Sequence, residues 1–248
     1  MFIGNFFVIM NEVRTGKLSI VATPIGNLED ITLRALRTLK EADYVLCEDT
    51  RVTGKLLSHY EIKTTLRRYD AHTSEGVHSA ILSDLEAGKH IALVSDAGTP
   101  GISDPGVFLV GRVRRVAPDA IIEAIPGASS LTAAFSLAGI AGNAFTFLGF
   151  VPQKKGRETF MKSLATFDHP VVFFESVHRI IKTLESLRAV AADQSVSNSP
   201  IDWTITVARE LTKLHEEVVQ GTPEEVRQYF LDHPDHVRGE FVVIVDTK

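Results

Sequence analysis

The chain has 248 residues, 44% hydrophobic and 23% charged, which is enough apolar material for one large or two smaller cores and excludes disorder as the main state. Lys and Arg number 26 against 31 Asp and Glu, a net charge of −5, which excludes a general polyanion binder and confines nucleic-acid contact to local basic patches. The single cysteine, Cys47, excludes an internal disulfide framework and multi-cysteine zinc sites, and makes a reducing compartment, the cytoplasm, the expected location.

Residues 1–16 open with MFIGNFFVIM, apolar but without a basic leader or a small-residue cleavage site. They are expected as a disordered lead-in, with Met10 as an alternative start, rather than as a signal peptide. No run approaches the ~18–20 apolar residues of a membrane-spanning helix. Leu18–Thr23 reads as a buried strand ending at Pro24, Ile25, Gly26 and Asn27. Asp30 is placed to cap a helix carrying Ile31, Leu33, Leu36 and Leu39. A second strand, Tyr44–Cys47, runs into Glu48, Asp49, Thr50 and Arg51. Ser74–Ala87 has helical spacing and stops at Gly88; His90–Ser95 is a third strand, followed by DAGTPGISDPG over 96–106. Val107–Val116 reads as a helix and Ala120–Ile125 as a fourth strand, closed by Pro126 and Gly127.

Beyond residue 127 the composition shifts. Ala128–Ile140 is small-residue-rich and helical. Strands are expected at Phe145–Phe150, Val171–Phe174, Trp203–Ala208, Glu216–Val219 and Phe241–Val245, and helices near Arg157–Ala165, His178–Val190 and Pro223–Phe230. Some of these strands follow one another without a helix, which calls for antiparallel pairs. The fold class is therefore α/β, with two domains: 17–127 with a mostly parallel sheet, and 128–248 with a mixed one. Ala189–Pro200 reads as a flexible surface loop.

The loops after the first three strands are where ligands gather in open α/β sheets. The third packs Gly98, Gly101, Gly106, Pro100 and Pro105 into eleven residues and presents Asp96 and Asp104. It has no Lys or Arg and matches neither the dinucleotide nor the P-loop pattern. Carboxylates beside exposed backbone suit a cationic ligand with ribose hydroxyls, such as S-adenosylmethionine, better than a polyphosphate. Glu48 and Asp49 are the candidate proton acceptors; Arg51 either binds a phosphate or pairs with one of them and lowers its basicity. His178 is a further candidate, and Arg209, Glu210 and Lys213 read equally as an ion-pair network or an RNA contact. Basic positions suited to RNA are Arg67 and Arg68, beside Tyr69, and the loop carrying Lys154, Lys155 and Arg157. Arg112, Arg114 and Arg115 are read as a solvated helix face. Ser129 and Ser130 lack a nucleophile-elbow context, and the histidines show no metal-ligand spacing.

In order, ATPIGNLEDIT, CEDTR, SDAGTPGISDPG, PGASS, FFESVHR, ARELTK and RGEF resemble the 16S ribosomal RNA (cytidine) ribose 2′-O-methyltransferase family, which has the tetrapyrrole-methylase fold. The resemblance runs from about Leu18 to Val245. It implies transfer from S-adenosylmethionine to a cytidine ribose in the decoding region of 16S rRNA within the small ribosomal subunit, a homodimer, and no metal or membrane. It also implies a donor site around Pro24, Ile25, Gly26, Asn27, Asp96, Gly98, Thr99, Ser103, Asp104, Ser129 and Ser130. Family members often continue past the last strand into a helical segment, whereas this chain stops at Lys248. Two alternatives stand beside this expectation: a tetrapyrrole precursor as acceptor, because a fold does not choose a substrate, or a non-catalytic ribosome-assembly factor.

Overall fold

The computed structural model describes residues 15–196 and 199–247, so the expected lead-in over 1–14 and positions 197 and 198 of the expected surface loop lie outside the described residues. At Gly16 the chain already belongs to the first sheet, its carbonyl accepting the Ile121 N–H at 2.8 Å. The fold thus begins before Lys17.

The chain divides into two compact units. One runs to Ala22 and resumes over Thr32–Pro126; the other comprises Thr23–Ile31 and continues from Gly127. Residues 23–31, which the sequence groups with the first domain, pack with the second.

The first unit is built on five parallel strands, β1 (Lys17–Val21), β2 (Tyr44–Cys47), β3 (Leu66–Arg68), β4 (His90–Leu93) and β5 (Ile121–Ile125), in the order β3-β2-β4-β1-β5. Tyr44 and Leu46 of β2 face Ile81, Leu82 and Leu85 of α3 (Glu75–Glu86) and Leu109 and Val113 of α4 (Gly106–Val116) in one core. Alternation along the strand directs such residues to one face. Two further helices, α1 (Leu33–Glu41) and α2 (Thr50–His59), complete this unit. The α1 cap is Thr32, not Asp30: its hydroxyl accepts the Ala35 N–H, and a short 3₁₀ turn capped by Asn27 takes up Leu28–Asp30. Leu33 consequently stands 85% exposed.

The second unit carries a mixed sheet of β6 (Thr146–Phe150), β7 (Val171–Ser176), β8 (Trp203–Arg209), β9 (Glu217–Gly221) and β10 (Glu240–Thr247). Its order is β6-β7-β10-β8-β9; β6 and β7 are parallel and the remaining neighbours antiparallel. One face, with Phe173, Val207 and Val243, packs against α6 (Arg157–Ser163), α7 (Ile180–Ala191) and α8 (Pro223–Asp232). The opposite face, with Val172, Ala208 and Val242, packs against α5 (Ser130–Leu137) and Ile25. Helix α7 therefore claims residues 189–191 of the expected loop.

Candidate functional site

Strands β2 and β4 are parallel neighbours, so the segments leaving their carboxyl ends meet. The Asp49 N–H donates to Asp96 Oδ1 at 3.1 Å. Asp49 caps α2, its Oδ1 accepting the Arg51 N–H at 2.8 Å, while the Arg51 guanidinium grips both carboxylate oxygens at 2.6–3.2 Å. These bonds hold the Asp49 carboxyl well below the usual range, which makes it a weak proton acceptor. Glu48 goes the other way. Burial raises its pKa first, and the negative charges of Asp96 and Asp104 add to the shift against a hydrogen bond from the Asp96 backbone. Glu48, Asp49, Arg51, Arg68, Asp70 and Asp96 line one cavity of about 460 Å³. Of the two candidate acceptors, Glu48 has the environment of a base.

The rest of the glycine-rich loop is tied to itself. Asp104 accepts the Gly101 N–H on Oδ2 at 2.7 Å and the Gly106 N–H on Oδ1 at 2.8 Å, so its carboxylate braces the loop. Gly101 has φ +92°, open to glycine at little cost, whereas Ser103 occupies the same left-handed region at +64°. Gly98 is buried, Thr99 half-buried, and Asp96 and Ser103 are exposed. Cys47 is fully buried and points its thiol at the Arg67 carbonyl, a core residue.

In the second unit the Pro24–Asn27 turn docks on the segment after β8. Asn27 N–H donates to Thr212 Oγ1 at 3.1 Å, Ile25 enters the core beside Leu131 and Leu211, and a Cβ at Gly26 would lie 2.4 Å from Lys213 Cγ. Lys213 bonds Glu210 at 2.8 Å and Glu240 at 2.9 Å, and Arg209 bonds Glu217 at 2.7 Å. Arg209, Glu210 and Lys213 are thus an ion-pair network that seats this turn. Ser129 is the N-cap residue of α5 and Ser130 its first residue, but the Ser129 side chain makes no capping bond.

The basic positions separate sharply. Lys154 and Lys155 are exposed. Arg157 is not a phosphate grip: only 11% exposed, it bonds Glu175 Oε2 at 3.4 Å and Thr183 Oγ1 at 2.8 Å. Glu175, with its side chain fully buried, also takes Arg179 at 2.8 Å, the Thr183 hydroxyl at 2.6 Å and the Ser176 N–H at 2.7 Å. Arg179 in turn donates to the Val151 carbonyl at 2.8 Å. One buried carboxylate therefore anchors both ends of the lysine loop, through Val151 on one side and Arg157 on the other. Sequence reasoning missed this network; the only signal was the polar Glu175 at the end of an otherwise apolar strand. His178 lies exposed just ahead of α7. In the first unit Arg67 lies 3.7 Å over the Tyr44 ring and pairs with Asp84, and Arg68 pairs with Asp70 but stays 73% exposed. Tyr69 is buried at 2% exposure and offers no surface for a stacked base.

Comparison with known proteins bears on this geometry. A family model for tetrapyrrole (corrin/porphyrin) methylases matches residues 17–227. Ribosomal RNA small subunit methyltransferase I of Haemophilus influenzae is 42% identical over 239 residues, covering 94% of this chain and 80% of its own length. The protein of the same name from Thermotoga maritima is 42% identical over 233 residues, covering 94% and 99%. Among solved structures, uroporphyrin-III C-methyl transferase from Thermus thermophilus, complexed with S-adenyl homocysteine, superposes with a TM-score of 0.61 at 22% identity, covering 93% of this chain and 97% of that one.

Proposed function

Because the chain belongs to the tetrapyrrole methylase family, on the side of its ribosomal RNA small subunit methyltransferase I members, we propose that it methylates 16S ribosomal RNA with S-adenosylmethionine as donor. The observation that carries the reading is 42% identity maintained over 94% of the chain with proteins of that name. The finer statement is a cytidine ribose 2′-hydroxyl of the decoding region, presented within the small subunit to a cytoplasmic homodimer. It rests on the motif order CEDTR, SDAGTPGISDPG and FFESVHR. No helix among the described residues is long and apolar enough to cross a membrane.

The acceptor-rich cavity fits the donor's chemistry. Glu48 and Asp96 stand within it, and its two arginines, Arg51 and Arg68, are committed to Asp49 and Asp70, so a cationic ligand relieves the repulsion that adds to the burial-driven rise of the Glu48 pKa. We assign Asp96 and the loop of Gly98, Thr99 and Ser103 to holding the donor, and on the resemblance we add Pro24–Asn27, Ser129 and Ser130 as further donor-site residues. When bound, S-adenosylmethionine supplies an activated methyl group. We assign to Glu48 the acceptance of the proton released from the ribose hydroxyl, worth ~10²–10⁴-fold. Orientation of the acceptor supplies much of the remaining acceleration. Lys154 and Lys155, on a loop braced from beneath by Glu175, hold RNA phosphates.

The test is incubation of the protein with methyl-labelled donor and either unmodified small subunits or the naked RNA, followed by mapping of ribose methylation. Label at one cytidine 2′-oxygen of 16S rRNA is expected. Transfer to a tetrapyrrole precursor, or donor binding with no transfer to either RNA form, counts against the proposal.

A further inference from the structure

Helix α4 places Phe108, Arg112 and Arg115 at i, i+4 and i+7, on one stripe. With Tyr69, His78 and Pro105 these side chains line a second cavity of about 230 Å³ in the first unit. Its buried wall is closed by a bond between Tyr69 OH and His78 Nε2 at 3.2 Å. Its outer wall is open. Phe108 is 69% exposed, and Ile102 at 41% and Val107 at 53%, close to it in sequence, are exposed as well. A large aromatic left in water among other apolar groups marks a contact surface, not a core residue. Arg112 is partly neutralised by Glu75, whereas Arg115 is exposed and carries no ion pair among the described residues.

Two facts decide what this surface takes. The chain is acidic overall, so an unpaired arginine two turns beyond a bare phenylalanine on the same stripe is a local exception that favours an anion with a flat apolar face. Further, this cavity and the one holding Glu48 and Asp96 share the Asp70–Ala71 wall. A ligand here therefore lies beside the reacting group. We infer that the α4 stripe is a nucleotide subsite for single-stranded RNA: the base flanking the methylated nucleotide stacks on Phe108, and Arg115 holds its phosphate. A duplex does not satisfy this site, since a paired base has no free face to offer Phe108. The inference rests on the RNA methyltransferase reading and goes beyond it by naming where the neighbouring nucleotide sits.

The test uses the full chain, with Phe108→Ala, Arg115→Ala and the double variant. Binding of a cytidine-containing single-stranded oligoribonucleotide is read by anisotropy across a salt series, with donor affinity, oligomeric state and subunit methylation in parallel. Phe108→Ala is expected to weaken RNA binding about tenfold with an unchanged salt slope, as loss of a stacking platform does. Arg115→Ala should reduce the slope by about one counterion. Both should raise the KM for subunits and leave kcat and donor affinity in place. If the parent methylates subunits while both variants bind RNA as it does, the subsite is overturned and the methyltransferase reading stands. Should the parent fail to methylate RNA yet lose oligoribonucleotide binding with Phe108, the subsite survives and the reading falls. A change in oligomeric state on Phe108→Ala, with RNA affinity per protomer unaltered, overturns the proposal in favour of contact with a second copy.

Discussion

Glu48 and Glu175 both stand at the carboxyl end of a buried strand, yet their surroundings are opposite. Glu175 is saturated: two guanidiniums, a hydroxyl and a backbone N–H converge on it with its side chain sealed from water. Glu48 is starved. The charges that act on it are the carboxylates of Asp96, Asp104 and Asp70, and Arg51, three residues on, is spent on Asp49. The first arrangement fixes a loop, and the second leaves a proton acceptor and a demand for positive charge. The same residue type is scaffold or reagent according to how many donors the fold assigns it.

The strongest way to break that contrast is Glu175→Ala, which leaves Arg157 and Arg179 buried without a counter-charge. A loss of ~3–5 kcal/mol in urea unfolding is expected, and a loss below ~1 kcal/mol would mean the network is incidental. Glu48→Gln should do the reverse, lowering kcat ~10²–10⁴-fold. Because the folded-state pKa of Glu48 lies above its unfolded value, the folded protein binds the extra proton and stability declines as pH rises through that window. Removing the charge is thus neutral or stabilising near pH 7. The same shift places the acid limb of kcat above the ordinary glutamate value of 4.5; a parent limb at or below it, or one unchanged in Glu48→Gln, removes Glu48 from the role. Replacing Lys154 and Lys155 together by alanine is expected to reduce the salt slope of RNA binding by about two while donor affinity holds. Smallest is Asp49→Asn, which keeps a capping side chain but loses the charge facing Arg51. It should leave the urea midpoint close to that of the parent and leave the acid limb of kcat in place, and a collapse of activity comparable with Glu48→Gln would reassign the proton acceptor.

Much of the fold was legible because burial leaves a pattern. The strand YVLC reads without ambiguity, and the antiparallel pairs of the mixed second sheet follow from strands that succeed one another without helices. Strand β3 was not legible: Leu66–Arg68 is a three-residue edge strand with two arginines, formed by pairing with β2 rather than by any apolar signal. Helix α2 was legible only as a helix that Asp49 or Thr50 could cap, without bounds, because the charge of Asp49 reads equally as chemistry. At the site, neighbours in sequence were readable and neighbours in space were not. The Asp49–Arg51 pairing spans two residues and was one of the two roles the sequence left open for Arg51, the other being a phosphate contact. Arg157, Glu175 and Thr183 come from three elements, so Arg157 looked like part of the basic loop. The α4 stripe was dismissed as solvated because the sequence does not reveal that Phe108 stays bare.

The chain leaves the first unit after Ala22, enters the second for Thr23–Ile31, and returns before crossing again at Pro126. No single cut can therefore dissect it. A fragment beginning at residue 127 would lack Ile25 from among Leu131, Ala134 and Leu211, and Thr212 would lose the Asn27 amide. Truncation libraries and split reporters with one breakpoint should yield insoluble halves. A graft of residues 23–31 onto the amino terminus of the second half is the shortest route to an autonomous piece.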